Sequence, residues 1–234
     1  MTRRSRIKKE LIDILRQKDV NTIFAALQAH DERDFLNPLF SALCHPEEMV
    51  RWHAVSAFGW VVDRLAQKDL ESARVVMRRF LWSLNDESGG IGWGSPEAMA
   101  EIMARNEVLF REYFHMLLSY TRDDGSEQIQ DSNYLELPQL QRGVIWGIGR
   151  LAGEYREVLL RNGAVDDLLP YLHSPDGPVR GLAAWSLGIL KAGSAEGPMQ
   201  QLLDDRACVS LYWQGEIIET TVSELVRQAI DTLG

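Results

Sequence analysis

The sequence has few of the residues that stabilise small secreted proteins or cross membranes. Its two cysteines, Cys44 and Cys208, are far apart and outside any metal-ligand spacing, so they predict neither a disulfide framework nor a metal site. No apolar run approaches the roughly 20 residues that span a bilayer. The basic start of the chain also lacks the apolar stretch of a secretory signal. We therefore expect a cytoplasmic protein with no membrane partner.

Basic residues are also in short supply. The formal net charge is −9 and the sequence pI is about 5.1. Five basic residues precede the first acid, so the chain after Lys9 keeps 20 basic against 34 acidic residues, a net charge of −14. The phosphate backbones of DNA and RNA repel such a surface unless cations cluster locally. Nucleic acid is therefore a disfavoured partner for the body of the protein.

Motifs that would identify a reaction are missing as well. There is no HExxH motif, no His-Glu dipeptide and no GxSxG nucleophile elbow. The five histidines show no metal-ligand spacing: His30, His45, His53, His115 and His173. We expect no metal, no cofactor and no catalytic residue, and this favours a non-enzymatic protein.

What the sequence does contain is a repeat. VRWHAVSAFG at 50–59 recurs as VRGLAAWSLG at 179–188, and both read V-R-x-x-A-x-x-small-x-G. Looser copies are LQRGVIWGIG at 140–149 and LVRQAIDTLG at 225–234. The interval from 50 to 140 is two periods of 45 residues, which predicts a degenerate copy near residue 95. Periods of about 40–47 residues are typical of HEAT-type helical hairpins.

The residues of this motif suit the inside of a stacked helical hairpin. Small residues at its fifth and eighth positions are three apart, so they lie on one face of a helix. We therefore expect Ala54 and Ala183 to be buried where another helix approaches closely. We expect the motif arginines, Arg51 and Arg180, to tie one repeat to the next rather than to bind a ligand.

These observations predict an all-α fold: an α-solenoid of about five HEAT-like helical hairpins, forming one domain over 1–234. The expected parts are N-terminal capping helices at about 2–30 and repeats at about 31–68, 69–104, 105–153, 154–193 and 194–234. The polar, acidic segment 121–138 predicts a long loop. β-Branched and aromatic residues on both sides of Gln214-Gly215 predict a small β-hairpin inserted in the last repeat, with strands at 209–212 and 216–220.

The most unusual segment is glycine-rich, NDESGGIGWGSPE at 85–97. Four glycines in six residues allow close approach of a backbone, and Ser95-Pro96-Glu97 then opens a helix. A glycine turn before a helix can hold an anion, but no P-loop or dinucleotide fingerprint is present. Two interpretations stay open. The loop is a binding element, or it is a shaped connector whose Trp93 packs into the core.

Tryptophan is frequent, with seven in the chain. Trp52 and His53 lie on the second helix of the first repeat, and Trp146 and Trp185 share the seventh motif position. If the second helices line an inner face, these side chains form a stripe there, and aromatic and arginine side chains are good recognition anchors. Inter-repeat packing is the alternative for the tryptophans, and a satisfied interface histidine is the alternative for His53. The candidate binding residues are Trp52, His53, Glu87, Gly90, Trp93, Glu97, Trp146, Arg150 and Trp185.

The V-R-x-x-A copies resemble HEAT and phycobilin-lyase-type HEAT-like repeats over most of the chain. The runs RWHAVSAFG, WSLNDESGGIGWGSPEAMAEI and LQRGVIWGIGRLAG resemble more narrowly an uncharacterised family of HEAT-repeat proteins from sulfate-reducing and related anaerobic bacteria. This resemblance implies a cytoplasmic solenoid of unknown activity and brings no catalytic residues with it. A fainter similarity to HEAT-like DNA glycosylases rests on Trp52, Trp146 and Trp185, and the acidic pI argues against it.

The leading hypothesis from sequence is a non-enzymatic scaffold that grips a protein or peptide with a concave face, because that is the commonest use of solenoids. The alternative is a small-ligand binder or enzyme, with a pocket built from residues 87–94 and nearby tryptophan and arginine side chains. A HEAT-like nucleic-acid-binding protein is the third and least favoured class.

Overall fold

The computed structural model describes residues 3–85, 92–123 and 133–233. Its α-helices are α1 (Arg3–Leu15), α2 (Val20–Leu27), α3 (Glu32–Ala42), α4 (Glu48–Lys68), α5 (Leu70–Leu84), α6 (Ser95–Arg105), α7 (Glu107–Ser119), α8 (Pro138–Arg161), α9 (Ala164–Leu168), α10 (Gly177–Ile189), α11 (Glu196–Gln200) and α12 (Val222–Asp231). Short 3-10 helices lie at Leu169–His173 and Gly193–Ala195. Two strands, β1 (Cys208–Trp213) and β2 (Glu216–Thr221), pair immediately before α12. The predicted fold class, helical repeats with a small hairpin near the C-terminus, is confirmed.

The chain groups into two compact units. The first is Met1–Glu112 with Gln214–Glu216, and the second is Tyr113–Trp213 with Ile217–Gly234. Helices α1 to α6 belong to the first unit, helices α8 to α12 belong to the second, and α7 contributes to both. Residues 124–132, half of the predicted loop at 121–138, lie outside the described residues, as do residues 86–91 of the glycine-rich segment.

In the first unit, aspartates set where several helices begin. Asp19, Asp31 and Asp69 precede α2, α3 and α5, and each side chain accepts a hydrogen bond from a backbone N–H of the first turn. Such caps satisfy donors that the helix itself leaves unpaired. Behind α4, Phe58 is fully buried against Phe40 of α3 and Phe80 of α5, with ring centroids 4.9 Å away in both cases. The first helices of the hairpins therefore lie on the Phe58 side of α4.

In the three motif copies whose last glycine is described, that glycine marks where the next second helix comes closest. A Cβ at Gly59 would lie 2.9 Å from the Glu101 carbonyl oxygen of α6. In the second unit, a Cβ at Gly149 would lie 2.3 Å from the Trp185 ring of α10, and one at Gly188 would lie 2.7 Å from Ala229 Cβ of α12. These separations are far below van der Waals contact. The repeat spacing therefore requires glycine at these positions.

In the second unit, α10 is the central helix and packs against both α8 and α12. Ala183 on α10 is fully buried, as is Ala54 on α4 in the first unit, which confirms the burial predicted for both alanines. The backbone of α8 departs from helical angles at Tyr155, where φ is −128° and ψ is 35°.

The motif arginines divide between two roles. Arg180 donates to the Ser174 carbonyl oxygen at 2.7 Å and also to the Asp205 carboxylate at 2.7 Å, in the segment that follows α11. This fits the predicted tie between repeats. Arg51 instead donates to the His45 and Pro46 carbonyl oxygens at 2.8 and 3.0 Å, just before its own helix. In the contacts described here, the predicted inter-repeat role is wrong for Arg51, because its guanidinium is used to cap the turn between α3 and α4.

The β-hairpin follows the sequence prediction closely. Gln214 and Gly215 form its two-residue turn with φ of 53° and 91°. Positive φ at both central positions is the type I′ arrangement that matches the twist of paired strands. The chain then returns to helix at Val222, where Thr221 and Glu224 form a reciprocal capping box. In the described ranges, no helix is both long and apolar enough to cross a bilayer.

Candidate functional site

The open side of α4 in the first unit carries a stacked aromatic pair. Trp60 follows the core residue Phe58 by two positions, which rotates it about 200° around the helix and away from α3 and α5. Its ring stacks on Phe24 of α2, with centroids 5.9 Å apart and planes 7° from parallel. Both side chains are half-buried. This face of the first unit therefore carries two stacked, half-exposed aromatic rings.

Two arginines flank this stack. The Arg64 guanidinium lies over the Trp60 ring at 4.8 Å from the centroid, and the Arg105 guanidinium lies over Phe24 at the same distance. Each is also fixed by a carboxylate: Arg64 by Glu32 and Arg105 by Glu101, both at 2.9 Å. Cation–π contact and ion pairing together restrain these side chains. We call Phe24, Trp60, Arg64 and Arg105 the Trp60 cluster.

Glu97 lies on the side of α6 that faces α4. Gly59 of α4 is level with Glu101, and Asn106 donates to Asp63 at 2.9 Å, so the two helices run in the same direction at a fixed offset. Glu97 lies one turn before Glu101 on the same side of α6. Part of its side chain is accessible, but its Oε2 atom is buried and has no hydrogen-bond partner in the described structure.

The position of this carboxyl group changes its chemistry. Burial disfavours the charged form and raises the pKa of Glu97 to about 7, and a hydrogen bond from its own backbone N–H opposes that shift. A carboxyl group with such a pKa exists in both protonation states near neutral pH. It can therefore accept a hydrogen bond as a carboxylate or donate one as an acid.

The other candidates of the first unit differ in accessibility. Trp52 is half-buried on α4, two turns before Trp60. His53 is fully buried, and its Nδ1 lies 2.7 Å from the Leu15 carbonyl oxygen, so this nitrogen carries the proton and donates. Its Nε2 has no hydrogen-bond partner in the described structure. The satisfied Nδ1 and complete burial fit an interface histidine between α1 and α4.

The glycine-rich segment is described from Gly92 onward. Trp93 is 44% exposed, so the interpretation in which it fills the core is wrong. Gly94 has φ of 73° and directly precedes α6, with Pro96 in the first turn of the helix. Glu87 and Gly90 lie outside the described residues.

In the second unit, Trp146 and Trp185 do not play the same part. Trp146 is 2% exposed, and its indole N–H donates to the Tyr212 carbonyl oxygen of β1 at 2.7 Å. Trp185 is half-buried and packs edge to face on Trp213, with centroids 5.3 Å apart. Arg150 pairs with Glu154 at 3.2 Å, and its side chain is mostly buried. Trp146 is thus a packing residue, whereas Trp185 keeps accessible surface.

The sequence analysis did not single out Trp60, Phe24, Arg64 or Arg105 as candidate binding residues. The available signal was the spacing of Trp52, Ser56, Trp60 and Arg64, which are four residues apart and so follow one side of a helix. The stacking partner Phe24 comes from another helix, so no local pattern pointed to it. Within the described residues, no three His, Cys, Asp or Glu side chains form a group suited to a metal ion.

Comparisons with known proteins identify the fold and leave the family open. No family model matches the chain. An uncharacterized protein of Archaeoglobus fulgidus is 30% identical over 119 residues, covering 51% of this chain and 55% of that protein. The chain therefore matches about half the length of this relative.

Solved helical-repeat structures resemble the whole chain. A computationally designed armadillo repeat protein for modular peptide recognition has a TM-score of 0.51 at 18% identity, covering 96% of this chain and 99% of its own. A designed armadillo repeat protein in complex with the peptide (KR)4 has the same TM-score and identity, with 96% and 98% covered. An engineered protein covers 100% and 99%, with a TM-score of 0.51 and 16% identity. The fold is an armadillo-like helical-repeat solenoid.

Proposed function

We propose that the chain is a non-enzymatic scaffold that binds a protein or peptide, with the Trp60 cluster and Trp52 of the first unit as its main contact surface. The observation that carries this proposal is the half-exposed stack of Trp60 on Phe24, held between two arginines that are themselves ion-paired. An aromatic surface fixed before binding loses little conformational entropy when a partner docks. Tryptophan and arginine are also the residues most often found at binding hot spots.

Two further findings support peptide binding. Designed proteins of the same fold include one made for modular peptide recognition and one in complex with (KR)4. The net charge of −9 favours encounter with a partner of basic character. Trp93, Glu97, Arg150 and Trp185 are proposed as further contacts, with Glu87 and Gly90 on the glycine-rich segment.

The finer family assignment is part of the same proposal. We place the chain with HEAT-like repeat proteins of the phycobilin-lyase type, and within them with the uncharacterised family from anaerobic bacteria. The V-R-x-x-A copies and an uncharacterized archaeal relative support this placement. A cytoplasmic location belongs to the proposal as well.

A random-peptide display library selected on the full chain tests the binding function. Selected peptides should bind Trp60→Ala about tenfold more weakly than the wild type, because the substitution removes half of the aromatic stack. Trp82→Ala is the matched control, since Trp82 is 69% exposed on α5, outside the proposed surface. Equal affinity of both variants for every selected peptide would exclude the Trp60 cluster as the contact surface. Failure to select any peptide would count against the scaffold function.

Glu97 favours a second candidate, a small-ligand site or enzyme beside the glycine-rich segment. A carboxyl group with a pKa of about 7 is suited to proton transfer at neutral pH. A thermal-shift screen of small metabolites tests this candidate. A ligand that raises the melting temperature of the wild type but not of Glu97→Gln would support the small-ligand site. A screen without such a ligand would favour the scaffold.

A further inference from the structure

The β-hairpin, whose strands belong to the second unit except for Glu216, leaves one strand edge open. In a two-residue hairpin, directly opposite residues alternate between hydrogen-bonded and non-hydrogen-bonded pairs. Here the turn places Leu211 opposite Ile218 and Val209 opposite Thr220 in the hydrogen-bonded class. The backbone groups of Ile218 and Thr220 therefore point toward β1, and those of Ile217 and Glu219 point away from it.

Three contacts support this register. Val222 N–H donates to the Ala207 carbonyl oxygen at 3.0 Å, which continues the same ladder by one more pair. Thr221 N–H donates to the Glu224 carboxylate at 3.0 Å, so its amide points outward from β2. On the opposite edge, the Tyr212 carbonyl oxygen accepts from Trp146, so it points outward from β1. A register shifted by one residue would not place the Val222 N–H against the Ala207 carbonyl oxygen.

The two edges of the sheet are in different situations. Strand β1 packs on α10, and its side chains Val209 and Leu211 are buried. On the outer edge of β1, the Tyr212 carbonyl oxygen accepts a hydrogen bond from the Trp146 indole. On the β2 edge, the backbone groups of Ile217 and Glu219 have no hydrogen-bond partner in the described structure. Glu219 is exposed, and neighbouring Ile218 is 43% exposed. Two N–H and two C=O groups are therefore available on an accessible strand.

The charge of β2 restricts what can pair with it. Natural edge strands are often protected by lysine, proline or bulges, and β2 has neither of these two residue types. It carries Glu216 and Glu219, and Glu224 follows in the first turn of α12. A second copy of β2 would bring carboxylates close to carboxylates, which is destabilising across a strand pair. A strand with lysine or arginine side chains would find opposite charges.

We propose that the outer edge of β2 binds an extended basic peptide as a third strand, through the backbone groups of Ile217 and Glu219 and the carboxylate of Glu219. Main-chain hydrogen bonds supply the attachment in this mode, and side chains supply the selectivity. This surface lies in the second unit and uses none of the Trp60 cluster. It is therefore a binding site separate from the proposed scaffold surface.

Amide hydrogen exchange of the full chain, followed by NMR, tests this site directly. The probe is a short synthetic peptide of alternating lysine and valine, blocked at both ends. In the free protein, the amides of Ile218 and Thr220 should be protected and those of Ile217 and Glu219 should exchange rapidly. Saturating peptide should slow exchange at Ile217 and Glu219 by about tenfold or more. No added protection at about 1 mM peptide would overturn the proposal.

Two modified peptides separate strand pairing from charge attraction. The same peptide with N-methylated backbone amides keeps its charge but cannot complete the strand, and it should give no protection. A peptide with glutamate in place of lysine keeps the backbone, and it should bind at least about tenfold more weakly. Equal protection by the N-methylated peptide would overturn the strand-pairing model.

Protein variants complete the test. Ile217→Pro removes an outward N–H without removing a β1–β2 hydrogen bond, and proline is tolerated on edge strands. We expect about tenfold weaker peptide binding, whereas Ile217→Val should bind like the wild type. Trp60→Ala should leave binding to β2 unchanged. Loss of exchange protection in Trp60→Ala would show that the peptide uses the scaffold surface instead, and would overturn this inference without affecting the proposed function.

Discussion

Glycine at the tenth motif position shows how one missing Cβ sets the distance between repeats. At Gly59, Gly149 and Gly188 an added Cβ would collide with the second helix of the following hairpin. At Gly153, which is also in α8, the space is open, and the nearest atom would be 3.9 Å away. The same residue type is thus required at one position of α8 and dispensable four residues later.

This difference predicts opposite effects for two substitutions in one helix. Gly149→Ala should destabilise the protein by about 1–3 kcal/mol, because the new methyl group meets the Trp185 ring and Ser186 Oγ. Gly153→Ala should be neutral or stabilising by up to about 1 kcal/mol, since alanine is the better helix former. Urea unfolding of both variants measures these free energies. Equal destabilisation of the two variants would mean that the need for glycine in this part of α8 comes from helix bending and not from the close approach of α10.

Glu97 makes stability depend on pH. Its pKa is raised from 4.5 to about 7 in the folded protein, so between these values the folded state holds a proton that the unfolded chain has released. The free energy of unfolding should therefore fall as pH rises through this window, by a total on the order of 3 kcal/mol. Glu97→Gln should lose this contribution and gain stability relative to the wild type between about pH 5 and pH 8. Parallel pH profiles for the two proteins, from urea unfolding, would contradict the assignment.

At the scale of elements, the sequence contained most of what fixes the helices and the hairpin. Repeated V-R-x-x-A copies placed α4 and α10, the turn residues Gln214-Gly215 placed the two strands, and Ser95-Pro96 placed the start of α6. These features depend on residues close together in the chain. Local patterns are sufficient for them, because periodicity and turn chemistry act over a few residues.

Contacts between distant elements were much less predictable. The stack of Trp60 on Phe24, the burial of Trp146 under Tyr212 and the exposure of Trp93 each depend on which helix lies opposite. Tryptophans at equivalent motif positions, Trp146 and Trp185, ended in different surroundings because β1 lies beside one of them. A repeat motif predicts on which side of its helix a residue lies, but it does not determine which element packs against that residue.

The packing of α10 between α8 and α12 gives an element-scale prediction. Ala183 is fully buried on this helix, so Ala183→Leu should overpack the hairpin and lower the free energy of unfolding by about 1–3 kcal/mol. Ala25→Leu on α2 is the matched control, because Ala25 is exposed and should tolerate the larger side chain. Thermal unfolding of both variants provides the measurement. A melting temperature for Ala183→Leu equal to that of the wild type would show that α10 has room to adjust.

At the scale of the whole molecule, the division into two compact units falls inside a helix. The boundary lies between Glu112 and Tyr113, within α7. Independent domains are usually separated in exposed, flexible linkers. Helical-repeat proteins instead propagate stability through neighbouring elements. We therefore retain the sequence-based expectation that residues 1–234 form one cooperative domain.

The two cysteines provide a direct test of this cooperativity. Both are free and exposed, with Cys44 in the first unit and Cys208 in the second, so each accepts a fluorescent label in the folded protein. One label per protein is obtained with the Cys208→Ser and Cys44→Ser variants. If the chain unfolds as one domain, the two labels should report the same urea midpoint and the same m-value, because a single transition exposes both sites. Far-UV circular dichroism of the same samples measures the shift in midpoint that each serine substitution causes. If the two label midpoints differ by more than this shift, the two units unfold separately. In that case the boundary within α7 would mark two folding units joined by a shared helix.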